Sequence, residues 1–187
     1  IGELPQAATF SPAPDFVSRL DAVPRGEEMY EAENGVRYVL YQVEHDVLDM
    51  DPRRYVRMIS EPVSTAGIDR TANVNLVFNP AYETLEFHSL SVERDGVVED
   101  RTSTTTIEFA RRETQLERRM FDGRATAIVR FSDIRIGDRV EYSYTVTGRN
   151  PAVRDNDSRS FSIGFGAPVE RMFIRSSWSE HAPVSHQ

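Results

Sequence analysis

Residues 139–147 read RVEYSYTVT, the cleanest alternation of apolar and polar side chains in the chain. Even-numbered positions carry Val or Tyr, and odd-numbered positions carry charged or hydroxylated residues. Because successive side chains of a β-strand point to opposite faces, this period of two predicts a strand with one apolar face. The preceding residues, Ile136-Gly137-Asp138, predict a tight turn, since glycine readily adopts a positive φ and Asp bonds nearby turn amides.

The same alternation recurs on both sides of this stretch. Asp95-Gly96 stands between two extended runs, which is typical of a β-hairpin turn. Eight or nine strands with short turns predict an all-β fold, a β-sandwich of mostly antiparallel strands. The other predicted strands are Val39 to Val47, Tyr55 to Ser60, Val74 to Phe78, Leu85 to Val92, Ala125 to Phe131, Phe161 to Phe165 and Val169 to Trp178.

One internal segment breaks the pattern. Residues Ile107 to Phe121 are rich in charge, and Phe109, Leu116 and Met120 recur at helical spacing. A short helix and an ordered loop are equally consistent with this segment, so the prediction is one short helical or loop insertion.

The N-terminal part differs in another way. Four prolines between Pro5 and Pro24 interrupt any long element, although residues 15–20 can form a short helical turn. We interpret residues 1–33 as an N-terminal extension lying over the domain, and residues 34–187 as the β-sandwich domain.

The composition excludes several classes of function. The net charge is -8, which argues against a nucleic-acid partner, because nucleic acid requires a concentrated basic face. All 22 basic residues are Arg, so Schiff-base chemistry on Lys is excluded. There is no Cys, which excludes disulfides, thiolate nucleophiles and thiolate metal sites.

Residues that bear other chemistry are scattered. His45 and His88 lie on separate predicted strands, His181 and His186 lie in a polar tail, and no Gly-x-Ser-x-Gly elbow is present. Asp46, Asp49 and Asp51 cluster near the first hairpin, but they lack the spacing of a calcium loop. We therefore expect no catalytic residue, no cofactor and no metal ligand in this chain.

Surface features leave two kinds of binding open. Tyr30, Tyr82 and Trp178 offer flat faces for a sugar or a peptide, or they pack at strand ends. The Arg-rich stretch with Arg111, Arg112, Arg118, Arg119, Glu113 and Glu117 is either an internally paired, solvated face or a docking surface for an acidic partner domain.

The sequence also bears on location. No apolar run reaches the roughly 18 residues that a transmembrane helix requires. The chain begins at Ile1 and not at Met, which leaves open a signal peptide that has been removed.

Four motifs in order resemble the bacterial family known as domain of unknown function 3857. They are the two strands within Val36 to Val63, the Ser-Val-Glu-Arg step into Asp-Gly within Leu85 to Gly96, the stretch from Ile134 to Tyr144, and Pro168 to Arg171 opening a last strand. The match covers roughly residues 35–178, and its most specific part is the Gly-Asp-x-Val-Glu-Tyr run from Gly137 to Tyr142.

This resemblance implies an immunoglobulin-like β-sandwich that commonly precedes a transglutaminase-like domain in a bacterial envelope protein. The expected function is a non-catalytic accessory module that positions or stabilises that downstream domain, in the periplasm or elsewhere in the envelope. The alternative is an autonomous module that binds envelope carbohydrate or peptide. An independent hydrolase is a third reading.

We predict that a chelator such as EDTA leaves the melting temperature of the chain unchanged, because its four His are scattered and thiolates are absent. Thermal denaturation followed by circular dichroism measures this. A marked fall in melting temperature on adding the chelator would reveal a bound metal, since ligands stabilise the native state by mass action.

Overall fold

The computed structural model describes residues 2–21, 23–24, 32–47, 51–111, 123–153 and 167–178. The mostly β fold predicted from the alternating pattern is confirmed, while the strand predicted at Phe161 to Phe165 lies outside the described residues. The described elements are β1 Thr9–Phe10, β2 Val36–Val47, β3 Arg53–Pro62, α1 Thr65–Ala72, β4 Asn73–Phe78, β5 Glu83–Arg94, β6 Val97–Asp100, β7 Thr106–Arg111, β8 Ala125–Arg130, β9 Arg139–Gly148 and β10 Val169–Trp178.

The strands form two sheets. Seven of the described strands form the larger sheet, in the order β1-β5-β9-β3-β2-β10 with β6 paired to β5. The smaller sheet has the order β4-β8-β7. Most neighbours are antiparallel, but β1 joins β5 and β10 joins β2 in parallel. Local patterns do not indicate these two parallel pairs, because strand direction depends on how distant segments meet. The immunoglobulin-like arrangement implied by the resemblance therefore stays a prediction.

The main core lies between the two sheets. Phe87 of β5 and Val140 of β9 are fully buried there, and they share one cluster with Phe78 of β4 and Val129 of β8. Truncating a buried phenylalanine to alanine costs about 3–5 kcal/mol, so this cluster is large enough to hold the sheets together.

The larger sheet is covered on both sides. In β9, Val140 and Val146 are buried in the core as the alternation predicts, and Tyr142 and Tyr144 pack against it. An alternating strand usually has a solvated second face. Here Ser143 on the second face is only 2% exposed. The other side of the sheet is therefore also covered.

The helix is not where the sequence analysis expected an insertion. The described helix is α1, between β3 and β4, and the Ser64 hydroxyl caps it by accepting a hydrogen bond from the Gly67 amide. Gly67 allows a close approach, since a Cβ there would lie 1.8 Å from the Gly35 carbonyl oxygen. At eight residues, α1 is much too short to cross a bilayer, and no other helix in the described part of the chain is long and apolar enough to do so.

The segment from Ile107 to Phe121 is corrected in part. Residues 107–111 belong to β7, so neither a helix nor a loop is right for them, and residues 112–121 lie outside the described chain. Phe109 packs edge-on against Phe78, with ring centroids 6.1 Å apart, which places it on the core side of β7. The helical spacing of Phe109 with Leu116 and Met120 therefore does not indicate a helix at Phe109, which packs in the core from a strand.

Both predicted turns are confirmed. Asp95 and Gly96 have φ of 52° and 79°, the positive values that a two-residue hairpin turn requires. Gly137 has φ of 87°, and its amide donates to the Pro62 carbonyl oxygen at 2.9 Å.

We predict that Gly137→Val lowers the free energy of unfolding by about 1–2 kcal/mol, since side chains other than Gly resist the left-handed region. No heavy atom lies within 4 Å of the Cβ position, so backbone strain alone causes this loss. Denaturant titration measures the effect. Gly137→Asn is the matched control, because Asn tolerates this region and should lose less stability. Equal midpoints for wild type and the Val variant would contradict the prediction.

Candidate functional site

The side of the larger sheet that faces away from the core carries mostly polar side chains. Its register aligns Gln42 of β2 with Arg57 of β3, and Arg57 with Ser143 of β9. Ser143 is in turn opposite Ser89 of β5. We call this side the polar face, and its central residues are Gln42, Glu44, Tyr55, Arg57, His88, Ser89, Glu141, Ser143 and Thr145.

An extended N-terminal segment covers the polar face. This segment, here called the strap, comprises residues 11–21 and 23–24. Arg139 donates to the carbonyl oxygens of Val23 and Pro24, at 2.6 Å and 3.2 Å. Two arginines of β10 donate in the same way, Arg171 to Asp21 and Arg175 to Phe16. Arginine side chains therefore satisfy backbone carbonyls that have no strand partner.

Glu44 anchors the strap at its centre. Its carboxylate is fully buried and accepts hydrogen bonds from the Ser18 amide at 2.8 Å and the Ser18 hydroxyl at 3.1 Å. Arg175 lies 2.6 Å from the same carboxylate. A buried charge is tolerated only when it is paired and hydrogen-bonded, and Glu44 meets both conditions.

Gln42 has one unsatisfied atom. Its Nε2 donates to the Ser18 carbonyl oxygen at 2.9 Å and to Glu44 Oε1 at 2.6 Å. Since both partners are acceptors, the carboxamide cannot be reversed. Its Oε1 is buried and has no hydrogen-bond donor among the described residues.

His88 links the strap to β9. Its Nδ1 lies 3.1 Å from the Ser11 carbonyl oxygen and 3.3 Å from the Ser11 hydroxyl, and its Nε2 lies 2.7 Å from the Thr145 hydroxyl. Because a carbonyl oxygen only accepts, the neutral ring carries its proton on Nδ1. Nδ1 is therefore not available as a base toward the Ser11 hydroxyl, and the contact is structural.

A cavity of about 510 Å³ lies between the strap and the polar face. Arg57 and Glu141 lie on its floor and form a bidentate ion pair, with N–O distances of 2.8 Å and 2.9 Å. Tyr55 also lines the cavity, and burial raises the pKa of its hydroxyl above the usual range. The hydroxyl therefore stays protonated, and at neutral pH it serves as a hydrogen-bonding group.

The turn of the Gly-Asp motif forms a second polar cluster. Arg94 Nε and Nη2 donate to the two carboxylate oxygens of Asp138 at 2.8 Å and 2.7 Å, and the Arg135 amide donates to Asp138 at 2.8 Å. Burial raises the pKa of Asp138, but the hydrogen bonds from Arg94 and Arg135 outweigh burial and hold it below the usual range. These groups bond to one another, as expected for a structural turn.

The predicted His and Asp candidates do not converge. His45 and His88 lie on β2 and β5, which are three strand spacings or about 14 Å apart. Asp46 is paired with Arg53, and Asp51 is exposed. Within the described residues, no three His, Cys, Asp or Glu side chains form a metal-binding group. Asp49, His181 and His186 lie outside the described chain.

The aromatic and Arg-rich candidates are also dispersed. Trp178 is 48% exposed at the end of β10, whereas Tyr82 is partly buried four strand spacings away, just before β5. Arg111 is exposed at the end of β7 and donates to the Gly2 carbonyl oxygen at 2.7 Å. Tyr30, Arg112, Arg118, Arg119, Glu113 and Glu117 lie outside the described residues.

No pattern in the sequence predicted that the polar face is buried. Gln42 and Glu44 alternate with apolar residues, a pattern that normally indicates a solvated face. The sequence contained one signal of this arrangement. The prolines of the strap prevent the strap from pairing regularly with a strand, so its backbone carbonyls need other hydrogen-bond donors. Arginines supply those donors.

Two sheets around a main core, with a strap over the polar face, define a β-rich domain. The family model for a domain of unknown function with a solved structure, DUF3857, matches residues 51–187. The chain therefore belongs to this family, and the resemblance found in its motifs is confirmed at that level.

Twelve chains of solved structures match this chain. One of them, which shares the fold, is a protein from Parabacteroides distasonis ATCC 8503 described as a "putative protease", with a TM-score of 0.54 and 13% sequence identity. The match covers 62% of this chain and 23% of that chain, so this chain spans about a quarter of the other protein's length. No curated protein matches the chain.

We predict that Asp138→Asn lowers the free energy of unfolding at pH 7 by about 2 kcal/mol, the scale of hydrogen bonds to a charged group. A carboxyl whose pKa is depressed by folding stabilises the protein above its unfolded pKa of about 3.9, and this stabilisation is lost as pH falls through the folded value. The difference between wild type and variant should therefore shrink below about pH 4.

Denaturant titrations at several pH values measure this difference. Asp95→Asn is the matched control, because Asp95 is an exposed turn residue that Asn can replace at positive φ. A difference that persists unchanged into acid would argue against the ionised Asp138 as its source.

Proposed function

We propose that this chain is a non-catalytic accessory module that positions or stabilises a downstream transglutaminase-like domain, which acts on amide bonds, in a bacterial envelope protein. The observation that carries the proposal is the likeness to the P. distasonis protein. There, the matched part of the fold forms about a quarter of a much longer chain that is described as a "putative protease". The chain belongs to the DUF3857 family, and the resemblance of its motifs to that family implies the downstream transglutaminase-like domain.

The chemistry of the chain also favours an accessory role. A thiol mechanism requires an activated Cys, and the chain has none. The His88 contact with Ser11 holds the strap in place and leaves Nδ1 protonated. The amide-bond chemistry would therefore belong to the downstream domain.

The last described strand offers a docking surface for that domain. β10 lies at the edge of the larger sheet, and Trp178 at its end is 48% exposed. A domain that follows β10 in the polypeptide would lie beside this edge. Large aromatic side chains are frequent anchors of interfaces, and a covalent linkage makes weak contacts sufficient.

Two further parts of the proposal rest on the family resemblance. One is a periplasmic or other envelope location. The other is an immunoglobulin-like relationship of the two sheets, with β1 and β10 as parallel additions at the edges.

A second candidate function is an autonomous module that binds envelope carbohydrate or peptide. The cavity beneath the strap favours this function, because it combines apolar residues of the strap with convergent polar groups of the sheet.

The test compares this module and the region encoded after it, expressed separately and joined. Joined, we expect the downstream domain to melt at a higher temperature and to retain its amide-bond activity, while the module alone is inactive. Turnover of a peptide or cell-wall substrate by the module alone would refute the non-catalytic proposal. Equal stability and activity of the downstream domain without the module would refute the scaffolding role.

We predict that Trp178→Ala in the joined protein weakens the coupling, so that the downstream domain melts as it does when isolated. The physical reason is the loss of an exposed aromatic anchor next to the junction. Differential scanning calorimetry resolves the two transitions. Val98→Ala is the matched control, because Val98 is 66% exposed on β6, near the opposite edge of the sheet from β10. Similar behaviour of the two variants would exclude Trp178 as the anchor.

A further inference from the structure

The cavity beneath the strap has the size and position of a ligand site. Its volume of about 510 Å³ falls within the ~300–1,000 Å³ of small-molecule sites. Its roof is the strap around Pro12, Ala13 and Pro14, and its floor is the polar face. Roof and floor come from segments that are distant in sequence, so the cavity exists only in the folded chain.

The charges that line the cavity cancel. Arg57 and Glu141 pair with each other through two hydrogen bonds on the floor. Asp15 and Arg19 contribute one charge of each sign from the strap. An anion requires a net positive site and a cation a net negative one. A neutral ligand is therefore favoured.

The floor suits a ligand that carries several hydroxyl groups. Ser89 is partly exposed on the floor, and its hydroxyl both donates and accepts, whereas Ser143 beside it is buried. The paired Glu141 carboxylate, whose side chain is 23% exposed, retains lone pairs for further donors, and Arg57 is 21% exposed. Ligand hydroxyls, which also donate and accept, match this surface.

The roof is of the opposite character. Pro12 and Pro14 have no backbone N–H and present C–H surface, and Ala13 between them adds a methyl group. A ligand that lies between roof and floor thus meets an apolar side and a polar side. A sugar ring combines both, since its C–H face is apolar and its hydroxyl edge is polar.

We propose that the cavity between the strap and the polar face binds a neutral sugar of one or two rings. The hydroxyl groups of the sugar bond to Arg57, Glu141 and Ser89, and its C–H face lies under Pro12 and Pro14. This proposal rests on the second candidate function and specifies its ligand. It is independent of the accessory role, because it involves the polar face and not the β10 edge.

The experiment titrates the intact, ¹⁵N-labelled chain with glucose, N-acetylglucosamine, cellobiose and chitobiose, each at millimolar concentrations. Inorganic phosphate and the dipeptide Gly-Gly serve as comparison ligands. We expect at least one neutral sugar to cause saturable shifts of the Ser89 and Ser143 amide signals, and neither comparison ligand to do so. No saturable shift with any sugar overturns the proposal. Binding of phosphate or Gly-Gly alone overturns the assignment to sugars.

Two variants locate the site. Glu141→Gln should weaken sugar binding about tenfold, the loss expected for one charge-assisted hydrogen bond. Ser89→Leu should abolish binding by filling the cavity from β5. Glu108→Gln is the matched control, because Glu108 forms a similar cross-strand pair with Arg130, at 2.6 Å, on the smaller sheet. Melting curves verify folding of each variant. Sugar binding that neither cavity variant changes would place the ligand elsewhere and overturn the proposal.

Discussion

The structure depends on one constraint, that both faces of the larger sheet are covered. One face packs on the smaller sheet through apolar side chains, which needs no directional bonding. The other face is mostly polar, apart from Leu40 and Ile59, which pack against Leu20 and Val23 of the strap. Burying its polar groups requires a partner for nearly every donor, acceptor and charge. The strap provides this cover, and its own backbone groups add to the bonds that must be satisfied. The contacts of Glu44, Gln42, Arg139 and Arg175 with the strap follow from that requirement.

Arginine suits this constraint better than lysine. Its planar guanidinium holds several donors in a fixed geometry, so one side chain can bond two acceptors at once. Arg139 reaches two consecutive strap carbonyls, and Arg94 holds both carboxylate oxygens of Asp138. All 22 basic residues of the chain are Arg. The planar guanidinium group is used in two places, in the contacts to the strap and in the motif turn.

The polar clusters of the motif turn and of the polar face differ in how completely their hydrogen-bonding groups are paired. In the motif turn, Arg94, Arg135 and Asp138 bond to one another, and the family motif is explained by that structural task. Beneath the strap, Gln42 Oε1 has no donor among the described residues, and the partly exposed Arg57–Glu141 pair lies in a cavity. A cavity of about 480 Å³ also borders the motif turn, so the two clusters differ in the unpaired oxygen of Gln42 and not in the presence of a cavity.

The sequence by itself determined seven of the described strands, namely β2 to β5 and β8 to β10, because alternation is local. It also determined the hairpin turn at Asp95-Gly96, the turn at Gly137 and the family, because turn chemistry is local too. It did not reveal α1, because the close approach of Gly67 to Gly35 is a tertiary contact. It did not reveal β7 either, because Phe109 lies at helical spacing from Leu116 and Met120 but packs in the core from a strand. Only the tertiary structure decided the parallel pairs and the polar face. Period two separates the faces of a strand but cannot say what covers each one. The strap covers Gln42 from more than twenty residues away, and no local pattern encodes that meeting.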